Sequence, residues 1–331
     1  MKNSESLVSI TIVNWNSKGY IERCLDSIKK QVYPAIEVIV VDNNSADSSL
    51  EYVVRNFPQA KVIRNKQNLG FSKSHNLGFH LAKGEFVLPL NFDVFLEPDF
   101  VQKMVEAMKN DQKNGIVSGK LYRQNNGEKT KILDSTGITM RHCFMHPRGQ
   151  TEEDRGQYDN SQNSVVFGAC GAAPLYRREM LEDIKFNKEF FDEDFVNFVE
   201  DVDLSWRAQL RGWKCVYTPS AVAYHERGVT RKVNEQMKKA YIVYGLRNRY
   251  CCIIKNIPTA YFKRYALKII SNEIGFLFIS AKEMPRSLKF KSFLLTFPLF
   301  SRMMAKRMLI QKRLLAGEDY LEGFLDYNKL R

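Results

Sequence analysis

The residues best placed to do chemistry are acids and amides that close short apolar runs. Asn91-Phe92-Asp93 follows the apolar residues 86–90, and alternate side chains of an extended chain share a face, so Asn91 and Asp93 point the same way. Two oxygen-bearing groups on one side suit a hard divalent cation that bridges a diphosphate. The alternative is a turn in which Asn and Asp bond their own backbone. Glu200-Asp201-Val202-Asp203 opens a stretch, through Arg211, that reads as a helix: acids come first, Arg207 and Arg211 later, and Gly212 stands just past its end. Residues two apart on a helix are separated by about 200°, so Asp201 and Asp203 serve different faces. Asp203 precedes Arg207 by four residues, the spacing of a structural ion pair. Asp201, or with less support Glu200, is left to face a crevice. There it acts as a general base that takes a proton from a hydroxyl, or only as one of the acids favoured in a first helical turn. His225 ends the β-like residues 221–224 and reads either as a metal ligand through a neutral imidazole nitrogen or as a hydrogen-bonded strand end. Asp42 reads either as an acceptor for a nucleotide imide or ribose or as the start of an Asx turn in Asp-Asn-Asn-Ser.

The elements that must position these groups alternate. Strands are expected at residues 7–13, 37–42, 61–64 and 85–91, and helices at 20–31, 48–56, with Ser45 or Asp47 as N-cap, and 76–82. This is an α/β pattern, a mostly parallel sheet flanked by helices. Ligands of open parallel sheets bind where strand carboxyl ends converge, so the polar loops after Val13, Asp42 and Asn91 are expected to share one crevice. A helix is expected over 98–109 and a strand over 115–121, whereas 122–164 is polar and irregular and reads as a long loop.

The 331 residues are 44% apolar and 12% aromatic, enough for one large or two modest cores and against disorder. From Arg231 onward there are 21 Lys and Arg against 7 Asp and Glu, so nearly all the net charge of +13 sits in that part. We divide the chain accordingly into a globular domain, 1–230, and a basic, aromatic, helical region, 231–331. Helices that interleave Lys and Arg with Tyr, Phe, Leu and Met, as in residues 261–265 and 301–307, suit an anionic membrane interface; binding of nucleic acid through phosphates is the weaker alternative, and no nucleic-acid partner is expected. Six scattered cysteines and the absence of a signal-like or spanning apolar run place the protein in the cytoplasm, peripheral at the inner face of the cell membrane. Oligomeric state is not legible.

Taken in order, Val8–Asn16, Val40–Ser45, Asn68-Leu69-Gly70-Phe71 with Asn76-Leu77-Gly78, Leu90–Val94, Phe191–Phe195, Phe198–Leu204 and Arg211-Gly212-Trp213 resemble the inverting glycosyltransferase family 2, in its rhamnosyltransferase-like branch. The resemblance spans about residues 7–228. It implies a GT-A fold in which Val13, Asn14, Asp42, Asn68, Asn76 and Asn91 hold the donor nucleotide, Asp93 and His225 hold Mg2+ or Mn2+, and Asp201 is the catalytic base. Gly171, in the small-residue run 168–172, and Glu200 would lie on the acceptor side. Asn91 replaces the first Asp of the family's D-x-D, as is common in this branch, so a loosely held metal is expected. Phe92 stands where Pro is frequent. The implied partners are a nucleotide-diphosphate sugar, with dTDP-rhamnose favoured and uridine-diphosphate sugars next, and a hydroxyl of a glycan or lipid-linked saccharide in cell-surface polysaccharide synthesis. Residues 244–249, Tyr-Gly-Leu-Arg-Asn-Arg, resemble a segment of the same branch with no role attached. The rivals are a sugar-nucleotide nucleotidyltransferase, whose Gly-rich phosphate loop residues 12–17 do not match, and a non-catalytic basic adaptor, which would need none of Asp42, Asp93 and Asp201.

Overall fold

Strands buried on both faces read as nearly continuous apolar runs, and that is how the sheet begins. In the computed structural model, which describes residues 5–141, 143–160, 162, 164–228, 235–279, 284–317 and 323–324, β1 (Val8–Asn14), β2 (Ile36–Asp42), β3 (Lys61–Arg64) and β4 (Phe86–Asn91) are parallel neighbours in the order β3-β2-β1-β4. Val8, Ile10 and Ile12 share a core with Ile21 and Leu25 of α1 (Tyr20–Lys29) and Val53 of α2 (Ser49–Asn56). Ile39 and Val41 lie on the other face with Phe79 of α3 (Gly70–Leu81). Register pairs Asn14 with Asp42 and Val13 with Asn91, so the three polar loops do leave the sheet side by side.

The rest of the sheet is mixed. It adds β5 (Val94–Leu96), β6 (Asn114–Asn125), β7 (Glu128–Ser135), β10 (Leu175–Arg177) and β11 (Lys214–His225) to give nine strands, with β10 antiparallel to both β4 and β6. α4 (Phe100–Lys109), α5 (Arg178–Ile184) and α6 (Glu200–Leu210) cover it. The expected loop at 122–164 is corrected: β6 continues to Asn125, turns through Asn126 and Gly127, and returns as β7, followed by the ribbon β8 (Ile138–Arg141) and β9 (Phe144–Pro147). Asn126 and Gly127 both take positive φ, 48° and 88°. That is the two-residue hairpin geometry that Asn-Gly favours.

The described residues continue with α7 (Glu235–Asn256), α8 (Thr259–Phe278), α9 (Arg286–Leu294) and α10 (Phe300–Lys312). The expected boundary at 230 falls in 229–234, outside the described residues. The helices beyond it are nevertheless not a separate body, because Cys251, Cys252, Met303 and Ile310 share one core with Ile138, Phe167, Phe195 and Trp206. Charge joins them too. Lys255, fully buried, pairs with Asp192 and lies 2.7 Å from Asp203; Lys306 reaches Asp192 at 2.5 Å and Asp194 at 3.0 Å. The basic composition of this region therefore serves partly to neutralise Asp192, Asp194 and Asp203. Among the described residues no disulfide joins the six cysteines, and five of them are buried.

Candidate active site

A cleft of about 290 Å3 opens at the carboxyl ends of β1 and β4. Of the residues expected to act, Val13, Asn68, Asn91, Asp93, Gly171, Glu200, Asp201 and His225 line it. Asn14, Asp42 and Asn76 do not. Asn14 is fully buried; its amide donates to Asp42 at 2.7 Å and to Ser49 at 2.9 Å, and its oxygen accepts from Ser17. The Asp42 carboxylate also accepts from the Ser45 hydroxyl at 2.6 Å, one residue behind Asn43, which does line the cleft. Asn76 donates to the Phe191 carbonyl at 2.8 Å and accepts from its N–H at 2.9 Å. Asn14 and Asn76 thus hold adjoining loops through internal partners, as buried amides require. Sequence reasoning also missed Asn43, Asn197, Phe198, Arg227 and Tyr241 among the lining residues.

The antiparallel pairing of β11 with β5 sets His225 opposite Val94 and so beside Asp93. His225 Nε2 is 3.4 Å from Asp93 Oδ1, and its Nδ1 is 2.8 Å from Asp134 Oδ2. Burial opposes a charge on the imidazole, but Asp93 and Asp134 outweigh it and raise its pKa to about 9. Asp134, at the end of the unforeseen hairpin, is fully buried and also receives Arg227 Nε at 2.7 Å and Nη2 at 3.0 Å. For Asp134 too burial works against the charge, and His225 and Arg227 hold its carboxyl well below the ordinary range. Among the described residues no group of three His, Cys, Asp or Glu side chains is disposed to hold a metal ion. Asp93 and His225 offer one oxygen and one nitrogen, with a carboxylate behind the imidazole, the usual support of a ligating histidine. This donor pair fits a divalent cation whose remaining ligands come from a diphosphate and water.

Across the cleft, the helical start of α6 separates its acids as the 3.6-residue repeat requires. Asp203 is fully buried and pairs with Arg207 at 3.0 Å. Asp201 faces the cleft, and its Oδ2 accepts from the Gly171 N–H at 2.7 Å while Oδ1 accepts from that of Val202 at 2.8 Å. A Cβ on Gly171 would stand 3.3 Å from Asp201 Oδ2, so the small residue is there to let the carboxylate approach. Burial raises the pKa of Asp201, against the lowering effect of those N–H groups. Burial, then the neighbouring Asp201 charge, raises Glu200 much further, and Glu200 Oε2 has no partner among the described residues.

A cleft lined by carboxylates at the carboxyl ends of parallel strands, in a mixed sheet flanked by helices, is the arrangement of the GT-A fold. The chain belongs to glycosyl transferase family 2, which matches residues 9–185. It is 25% identical over 239 residues to the Bacillus subtilis protein EpsH, covering 71% of this chain and 64% of that one. The chain therefore spans less than two thirds of EpsH. It is also 25% identical over 296 residues, 83% of this chain and 85% of the other, to the dolichyl N-acetyl-α-D-glucosaminyl phosphate 3-β-D-2,3-diacetamido-2,3-dideoxy-β-D-glucuronosyltransferase of Methanococcus voltae. The mannosyltransferase PcManGT from Pyrobaculum calidifontis, in complex with GDP-Man and Mn2+, shares the fold with a TM-score of 0.54 and 16% identity, over 97% of this chain and 84% of that one.

Proposed function

We propose that this glycosyltransferase moves a sugar from a nucleotide-diphosphate donor onto a hydroxyl of a glycan or lipid-linked saccharide in polysaccharide synthesis, in one displacement that inverts the anomeric carbon. The observation that carries the reading is Asp201 in the same cleft as Asp93 and His225. Asp201 removes the acceptor proton as the new bond forms, and the N–H groups of Gly171 and Val202 fix its carboxylate. Asp93 and His225 would hold Mg2+ or Mn2+, which when bound offsets charge on the departing diphosphate. The ordered motifs favour dTDP-rhamnose as donor, with uridine-diphosphate sugars next.

The test is a panel of nucleotide sugars scored for protection against heat unfolding with and without Mn2+. Binding to the native state raises the transition temperature; a protein indifferent to every donor overturns the reading. In the same assay Asp134→Asn is expected to weaken Mn2+ about 10- to 100-fold by releasing the His225 ring. An unchanged Mn2+ requirement would remove His225 from the ligand set.

The lipid-linked acceptor and an anionic bilayer belong to the same proposal, with the enzyme peripheral at the cytoplasmic face. No described helix is long and apolar enough to cross a membrane. Instead α9, α10 and the turn between them present Leu294, Phe297 and Phe300, which are 62%, 60% and 48% exposed, and Arg286 and Lys291 are exposed on α9. Apolar side chains next to basic ones match the two components of an anionic interface. Sedimentation with phosphatidylcholine vesicles should require added phosphatidylglycerol, and Leu294→Ser with Phe297→Ser should weaken it about tenfold or more. Equal binding by the double variant sinks the surface assignment.

A further inference from the structure

The chain reaches Asp201 through an awkward backbone. Val196, Phe198 and Val199 have φ of 49°, 70° and 68°, a left-handed region that non-glycine residues seldom enter and that β-branched side chains resist most. Three such residues within four positions persist only where their surroundings impose them. The segment is also part of the cleft, since Asn197, Phe198, Glu200 and Asp201 all line it.

What imposes the conformation comes from two sides. On the donor side, the first turn of α3 ties it down: the Ser72 N–H donates to the Val196 carbonyl at 3.0 Å and the Phe71 N–H to Asn197 Oδ1 at 2.9 Å. Gly70 is required there, because a Cβ would stand 2.5 Å from Val196 Cγ1. On the opposite side stands Asn248 of α7, fully buried, whose amide nitrogen lies 2.8, 2.8 and 2.9 Å from the carbonyls of Phe195, Asn197 and Phe198. The orientation of that amide is set by Arg247, whose Nε and Nη2 donate to Asn248 Oδ1 at 2.9 and 2.6 Å while Nη2 also donates to the Asp194 carbonyl at 3.0 Å. With its oxygen held by a guanidinium, Asn248 can present only donors to the segment. These are the first two residues of the Arg-Asn-Arg stretch at 247–249.

We propose that Asn248 is a positioning residue for Asp201: its amide holds the left-handed 196–199 segment, so that the α7 helix, outside the family-matched residues, sets the geometry of the base. The role rests on reading Asp201 as the base; the physical coupling does not. Carbonyls that lose their donor can turn, Val196 and Val199 can then relax to negative φ, and the first residues of α6 move with them. The ends of β1 and β4, which bring Val13 and Asn91 to the cleft, lie on other elements and stay in place.

Two variants and two readouts test this. Asn248→Asp keeps the shape but sets a carboxylate oxygen against three carbonyls, and Asn248→Ala removes the donor. Hydrogen exchange of the native-state amides should rise at 194–201 and remain as in the parent at β1, β2 and β4. Unchanged exchange at 194–201 overturns the coupling, whatever the protein's activity. With a donor that the parent turns over, Asn248→Ala should lower kcat about 10- to 100-fold, the scale of losses from slight misplacement of a catalytic group, with donor KM within twofold. A fall confined to the fraction of folded protein, with kcat per nucleotide-binding molecule intact, would make Asn248 merely structural and overturn the role. If Asn248→Ala does not fold, the pair Asn248→Ala and Val199→Gly decides, because glycine takes positive φ without strain. Recovery of folding and part of kcat supports the clamp, and no recovery overturns it.

Discussion

Asp201→Asn is expected to slow sugar transfer about 10^2- to 10^4-fold, the range that general-base catalysis supplies, while nucleotide-sugar protection against heat unfolding stays close to that of the parent. The amide preserves size and can still face Gly171, but it cannot take a proton. Initial rates with a saturating donor decide the point, and full turnover by the variant would remove the base assignment. The pH dependence of the parent has a definite sign. Burial raises the Asp201 carboxyl above the ordinary carboxylate range, and only its ionised form can act. Transfer should therefore fall on the acid side through a pKa displaced upward, and that limb should be missing from whatever rate Asp201→Asn retains. Glu200, raised further by burial and by the neighbouring Asp201 charge, keeps its proton to higher pH than Asp201 does.

The second large effect concerns stability. Lys255→Met should cost about 3–5 kcal/mol, as breaking a buried ion pair does when it strands a charge. Lys255 is fully buried between Asp192 and Asp203, and methionine fills the space without the ammonium. For Asp192, burial alone would raise the carboxyl, but Lys255 and Lys306 together hold it well below its usual value. A depressed carboxylate stabilises the fold above its unfolded pKa of about 3.9 and loses that contribution as pH falls. The deficit of Lys255→Met measured by urea unfolding should accordingly be largest near neutral pH and shrink toward acid. A deficit below about 1 kcal/mol, the size typical of a surface pair, would mean that this network is solvated in solution.

How far these features were legible depended on the distance over which they are encoded. The four parallel strands were placed to within a residue because buried strands advertise themselves as apolar runs between polar loops. The exclusion of Asp203 from the cleft followed from helix geometry alone, and its pairing with Arg207 lies four residues away. α3 extends the expected helical core at 76–82 back to Gly70, and its first turns bury Ser72, Ser74 and His75, polar residues that leave no apolar stripe to mark them. The β6–β7 hairpin was overlooked although Asn126-Gly127 is a strong local turn signal; the polar residues around it masked the strands. Asp134 was out of reach altogether, because its partners His225 and Arg227 lie 91 and 93 residues on and no spacing rule connects them. Nor did the basic count after residue 230 reveal which cations were for the interior: Lys255 is buried, whereas Lys291 is exposed.

The shared core and the ion pairs between α7, α10 and residues 192–203 carry an evolutionary corollary. A catalytic half and its C-terminal helices fitted to each other at this many buried points cannot be traded freely among family members. A hybrid with the helices of a relative should fold only if that relative's own counterpart of 192–203 travels with them, so the two would diverge as one inherited unit.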